Sequence, residues 1–97
     1  MPVFLVESAL PEFTPEFAAR IPAHRAVVNR LFVKGKLLTY AVNADRTKWW
    51  CTVTAENEYE VMEILSEMPI IEFLNPEIHD LMIYNGQEQV LPPISLN

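Results

Sequence analysis

With 97 residues, 51% of them apolar, the chain has the length of one globular domain and is too short for two. A net charge of −6 disfavours nucleic acid and acidic membrane surfaces as partners, because neither a phosphate backbone nor an anionic lipid attracts it. The single cysteine, Cys51, excludes an intrachain disulfide and suits a reducing compartment.

Val3 to Ala9 (VFLVESA) is rich in Val and Phe and is expected to form a first strand, apolar on both faces until Glu7 and Ser8. The N-terminal run lacks the basic segment of a secretory signal, and no stretch is apolar enough to span a membrane, so a cytoplasmic protein is expected. Thr14 followed by Pro15 is a helix start. Phe13, Phe17, Ile21, Val28 and Leu31 then recur in steps of three and four, the stripe of a helix packed on a sheet. His24 fills the missing step of that stripe. Pro22 predicts a kink, or a short first turn followed by a main helix from Pro22 to Val33. Gly35 is the stop.

Leu37 to Ala44 is the second expected strand and Lys48 to Ala55 the third, joined as an antiparallel hairpin by a short polar turn. Alternation puts Trp49, Cys51 and Val53 on one face of the third strand and Lys48, Trp50, Thr52 and Thr54 on the other. Asn57 with Glu60 three residues on resembles a capping box and starts a second helix, with Val61, Ile64, Leu65 and Met68 as its apolar stripe. Glu56, Glu58, Glu60, Glu63 and Glu67 read as its solvated outer face. Pro69 ends it. After an apolar connector, Glu77 to Tyr84 is a fourth strand, and residues 86–97 read as an extended arm beyond a single domain of residues 1–85.

The order β-α-β-β-α-β is the ferredoxin-like split unit of the α+β class, with two helices on one face of a four-stranded antiparallel sheet. The uncovered face would carry Trp50, with either Phe4 and Val6 or Val3 and Leu5, Thr39 or Tyr40, and Met82 or Ile83, depending on register. Such a face is too apolar to stay wet, so a homodimer packed sheet to sheet around a lined cavity is expected, with higher assembly left open.

From Gly35 to Tyr84 the chain resembles muconolactone isomerase, of the dimeric α+β barrel superfamily. The residues that carry this are Gly35-Lys36 before a strand, the hairpin, the Asn57-Glu58 helix start, the L-S-x-M-P-I run of Leu65, Ser66, Met68, Pro69 and Ile70, and Glu72-Phe73-Leu74 before the last strand. The first helix also resembles the YCII-related branch, whose helix histidine ahead of a G-x-L turn is matched by His24, Gly35 and Leu37.

The resemblance implies a cofactor-free isomerase that moves a proton on a small unsaturated lactone or carboxylate. His24 would act as general acid/base with an acidic partner, either Glu7 or Asp45; the alternative is a packed core histidine. Tyr40, Trp50 and Tyr84 would line an aromatic pocket or simply pack, and Arg20, Arg25 or Lys48 would hold a carboxylate or remain surface cations. The same fold hosts non-catalytic small-molecule-binding or structural dimers and cofactor-free monooxygenases, so these stay open beside the isomerase. No metal is expected, since His24 and His79 lack any ligand spacing and Cys51 stands alone.

Overall fold

The computed structural model describes residues 1–86; most of the expected C-terminal arm lies outside them. The elements are β1 (Val3–Ala9), α1 (Pro15–Val33), β2 (Leu37–Val42), β3 (Lys48–Thr54), α2 (Glu58–Leu65), a single 3₁₀ turn at Ile71–Phe73, and β4 (Glu77–Asp80). The sheet order is β2-β3-β1-β4, with every neighbouring pair antiparallel. β3 is thus inserted between β1 and β2, which is the split unit expected from the element order.

Local chemistry sets the boundaries. The Thr14 hydroxyl caps α1 by accepting from the Phe17 N–H at 3.2 Å, with Pro15 in the first turn. At the other end the Gly35 N–H donates to the Phe32 carbonyl and the Lys36 N–H to the Leu31 carbonyl, both at 3.0 Å. That pairing needs a left-handed residue between them, and Gly35 supplies it with φ +76°. Asn57 caps α2 by accepting from the Glu60 N–H at 2.9 Å, but the Glu60 carboxylate reaches back to the Glu56 N–H rather than to Asn57's own.

β2, β3 and α2 end one to four residues earlier than expected, at Val42, Thr54 and Leu65, and two larger differences stand out. Pro22 neither kinks nor splits α1, which is continuous over 19 residues. Its ring faces solvent, while Phe17 before it and His24, Val28 and Leu31 after it are all buried on one side. Burial on both sides of the lost hydrogen bond outweighs its cost of about 3 kcal/mol. β4 ends at Asp80 rather than Tyr84, leaving Met82 and Ile83 largely exposed.

The helices cover one face of the sheet. Phe4, Val6, Trp49, Cys51, Val53 and Leu37 from the strands meet Val28 and Leu31 of α1 and Val61, Ile64 and Leu65 of α2. Cys51 lies within this layer, and burial pushes its thiol up to about 12, so it is an inert core residue. The opposite face carries Val3, Leu5 and Glu7 from β1, with Trp50 and Thr52 from β3. Of the two registers left open by the sequence, Val3 and Leu5 therefore lie on the uncovered face.

Candidate active site

A bulge decides where Tyr40 points. Leu37 pairs with Val53 and Thr39 with Thr52, so the register shifts between them. The alternation of β2 is inverted from that point. Leu37 and Tyr40, three residues apart, both face the helices, and Thr39 faces away to share a 2.7 Å hydroxyl–hydroxyl hydrogen bond with Thr52. Tyr40 then meets α1 at the step of the stripe where His24 sits.

The Tyr40 hydroxyl and His24 Nε2 are 2.7 Å apart, and His24 is only 2% exposed. The other ring nitrogen, Nδ1, is buried with no hydrogen-bond partner among the described residues. Two neutral tautomers are compatible with that contact. In one, Nδ1 carries the proton and is a buried orphan donor. In the other, Nε2–H donates to the Tyr40 oxygen and Nδ1 is left as a bare lone pair. Buried orphan N–H groups are the rarer and costlier defect, so we assign the proton to Nε2. The Tyr40 O–H is then not spent on His24 and remains a donor.

Burial lowers the His24 pKa, which keeps the ring neutral near pH 7. Burial likewise raises the Tyr40 pKa, partly opposed by the neighbouring Trp49 indole, whose ring stands edge-on at 5.9 Å. Both shifts favour a neutral phenol held by a neutral imidazole. Trp49 is fully buried and its indole N–H also lacks a hydrogen-bond partner among the described residues.

Tyr40 and Trp49 form part of the wall of a pocket of about 670 Å³ between α1, the β1–α1 loop and the tip of the β2–β3 hairpin. Leu10, Phe13, Phe17, Ile21, Val42 and Ile70 make the rest of the apolar lining, and Glu12, Asp45, Arg46 and Thr47 bring polar groups. That size and that mix suit a small organic molecule.

The hairpin tip is tightly built. Asn43 Oδ1 accepts from the Thr47 N–H at 3.0 Å and the Lys48 N–H at 2.9 Å, and Asn43 Nδ2 donates to the Thr47 hydroxyl at 2.9 Å. Asp45 Oδ1 accepts from the Thr47 O–H at 2.6 Å and the Thr47 N–H at 3.2 Å. Asp45 thus lines the pocket, yet it does not partner His24. Glu7 does not either, because β1 alternation places it on the uncovered face beyond the sheet. The acidic partner expected for His24 is replaced by a phenol.

The remaining expected residues scatter. Arg20 donates to the Pro69 carbonyl at 2.9 Å and to Glu72 at 3.1 Å, with Phe73 beneath it, so it pins α1 to the 3₁₀ turn. Trp50 is on the uncovered face, opposite Glu7. Tyr84 lies beyond β4 and outside the pocket wall. Lys48 stands 3.5 Å from Glu7 on the uncovered face, where His79 Nε2 is 2.9 Å from the other Glu7 oxygen and 3.6 Å from Glu77. The hydrogen bond from His79, opposed by desolvation and helped by Lys48, lowers the Glu7 pKa. Glu7, Glu77 and His79 offer one imidazole and two carboxylates within 4.8 Å of one another, a donor set that a divalent cation can share, although Lys48 already offsets part of its charge.

Sequence reasoning missed Arg46, which lines the pocket. The turn-forming Asn43, Asp45 and Thr47 around it were the signal that its side chain sits on a fixed hairpin tip.

No protein-family profile matches the chain, and no curated protein matches it. Among solved structures it is similar to muconolactone isomerase, at 17% identity and a TM-score of 0.67, over 84% of this chain and 90% of that one. It is also similar to the 5-chloro-2-hydroxyhydroquinone dehydrochlorinase of Burkholderia phenoliruptrix in complex with 2,5-dihydroxybenzoquinone, at 17% identity and a TM-score of 0.63, over 91% of this chain and 99% of that one. The resemblance read from the sequence holds at the level of the fold: this is the ferredoxin-like α+β architecture of muconolactone isomerase. Among the described residues no helix is long and apolar enough to cross a membrane.

Proposed function

We propose that the chain is a cofactor-free enzyme that shifts a proton on a small unsaturated carbonyl compound, of the lactone or enone kind, bound in the pocket beside Tyr40. The observation that carries this reading is Tyr40 in an apolar pocket wall, its hydroxyl 2.7 Å from a buried imidazole. A neutral phenol so held is a preorganised donor for the oxygen of an enolate, whose charge develops as a proton leaves the adjacent carbon. His24 positions Tyr40 and does not itself exchange the proton. Asp45 or Glu12, the carboxylates of the pocket, takes the proton from carbon and returns it at the conjugated position, so nothing is gained or lost overall. Two neighbours of the same fold are consistent in kind: one is named an isomerase, and the other is a dehydrochlorinase holding a quinone.

The test is deuterium wash-in. Small butenolides and cyclic enones are incubated with the protein in D₂O, and exchange at the carbon next to the carbonyl is followed by proton NMR. Catalysed exchange of at least one class supports the reading. Exchange at the buffer rate across the series ends it.

The assembly belongs to the same proposal. The uncovered sheet face presents Val3, Leu5 and Trp50, and a second copy packed on it would remove that surface from water. Sedimentation equilibrium at micromolar protein is expected to give the mass of at least two chains, and a single-chain mass would contradict this part.

A further inference from the structure

We propose that Arg46 is a specificity-determining residue that reads a carboxylate on the ligand of the pocket, an inference that rests on the pocket being a ligand site. Three observations point there. First, the guanidinium of Arg46 sits 4.2 Å over the Phe13 ring, and both residues line the pocket. Stacking occupies the face of the guanidinium and leaves its in-plane N–H groups for a forked acceptor.

Second, those N–H groups are not committed. Among the described residues Arg46 makes no side-chain hydrogen bond and no ion pair, whereas Arg20 and Arg30 are each bound to a glutamate at 3.1 Å. The rim carries two carboxylates, Glu12 and Asp45, and either would be the obvious partner. Neither is within 4 Å ion-pair reach of Arg46, and Asp45 Oδ1 already accepts two hydrogen bonds from Thr47. In an acidic protein, a stacked and unpaired guanidinium at a pocket mouth is an open fork for a planar anion.

Third, the backbone at Arg46 is in the left-handed region, with φ +62°. Glycine or asparagine holds that conformation more cheaply than arginine does. The side-chain hydrogen bonds of Asn43 and Asp45 to Thr47 and Lys48 hold the turn in spite of it. The Arg46 N–H donates to the Asn43 carbonyl at 3.0 Å, and strain that the turn enforces, at a residue whose side-chain N–H groups bind nothing else among the described residues, marks a side chain kept for what it does in the pocket. Glycine at this position would therefore relieve the backbone and remove the reader.

The experiment compares wild type with Arg46→Gly, and with Arg46→Asn as a second left-handed-tolerant variant. Calorimetric titration uses the carboxylates sorbate and cinnamate against their neutral primary amides, alongside thermal melts. The inference predicts that both variants melt no lower than wild type, that they bind the acids at least tenfold more weakly, and that they bind the amides unchanged. Equal weakening of acids and amides, or no weakening of either, overturns the role of Arg46 while leaving the pocket standing. If neither acids nor amides bind the wild type, the ligand-site reading fails and this inference fails with it.

Discussion

Tyr40→Phe is expected to lower the rate of catalysed proton exchange by about 10²–10³-fold, because it deletes the donor proposed for the developing oxyanion and leaves the pocket shape intact. The loss should fall on turnover more than on binding, since the phenol's charge-stabilising contact strengthens only as the enolate forms. The substitution also orphans the proton on His24 Nε2, a buried group whose partner at 2.7 Å disappears. Stability should therefore drop by about 1–3 kcal/mol, as for any buried donor left unmade. Exchange kinetics and a urea melt on the same variant separate the two effects. A variant that keeps near-wild-type exchange would remove Tyr40 from the chemistry.

Trp49→Ala is expected to be the most damaging single truncation in the described fold. Trp49 is fully buried between the sheet and α1 and packs edge-on against Tyr40. Truncating a buried tryptophan costs about 3–5 kcal/mol from lost transfer free energy and the cavity left behind. A small domain has a total stability of only about 5–15 kcal/mol. The unpaired indole N–H offsets a little of this, because its removal relieves an unsatisfied buried donor. Trp50→Ala is the control. It sits one residue away on the other face and is partly exposed, so its effect should be much smaller at protein concentrations low enough to keep the chain monomeric. Urea midpoints over a dilution series read both. A Trp49→Ala loss below about 1 kcal/mol would mean that the helix-side core is not where it is placed.

Much of the fold is legible in the sequence because its punctuation is strong. Thr14-Pro15, Gly35 and Asn57 are caps whose side chains or backbone freedom have few other uses, and each sits where its helix begins or ends. The alternation of β3 is equally clear, since Trp49, Cys51 and Val53 go inward as read. β1 is harder. Its VFLV run is apolar at every position, so nothing local says which face meets the helices, and only the pairing with β3 settles it.

The site was legible in part. His24 stands out as a polar residue in an apolar stripe, but its partner does not, because Tyr40 reaches it only through the shift of register between Leu37 and Thr39. Strict alternation puts Tyr40 on the face opposite Leu37, and no residue in LLTYAV marks the bulge. The acidic partners suggested by resemblance were reasonable in composition and wrong in direction: Glu7 points away through the sheet, and Asp45 is engaged by Thr47. Arg20 and Arg46 show the same limit. Both are arginines near aromatic residues in the sequence, and only their partners separate a tether, bound to Pro69 and Glu72, from an unpaired group at the pocket.

In this account a neutral His24 donates a hydrogen bond from Nε2–H to the Tyr40 oxygen and so leaves the phenolic O–H free to donate elsewhere. Nitrogen-15 NMR of imidazole-labelled protein, followed from pH 8 down to pH 5 with His24→Gln as the assignment control, tests it directly. The predicted spectrum has His24 protonated at Nε2 and bare at Nδ1 at pH 7, and the ring stays neutral as the pH falls below its ordinary pKa of about 6.5, because burial penalises the charged form. A proton on Nδ1 at pH 7, or a ring already charged there, would contradict the claim, since the Tyr40 hydroxyl would then be spent on the histidine or the site would carry a cation.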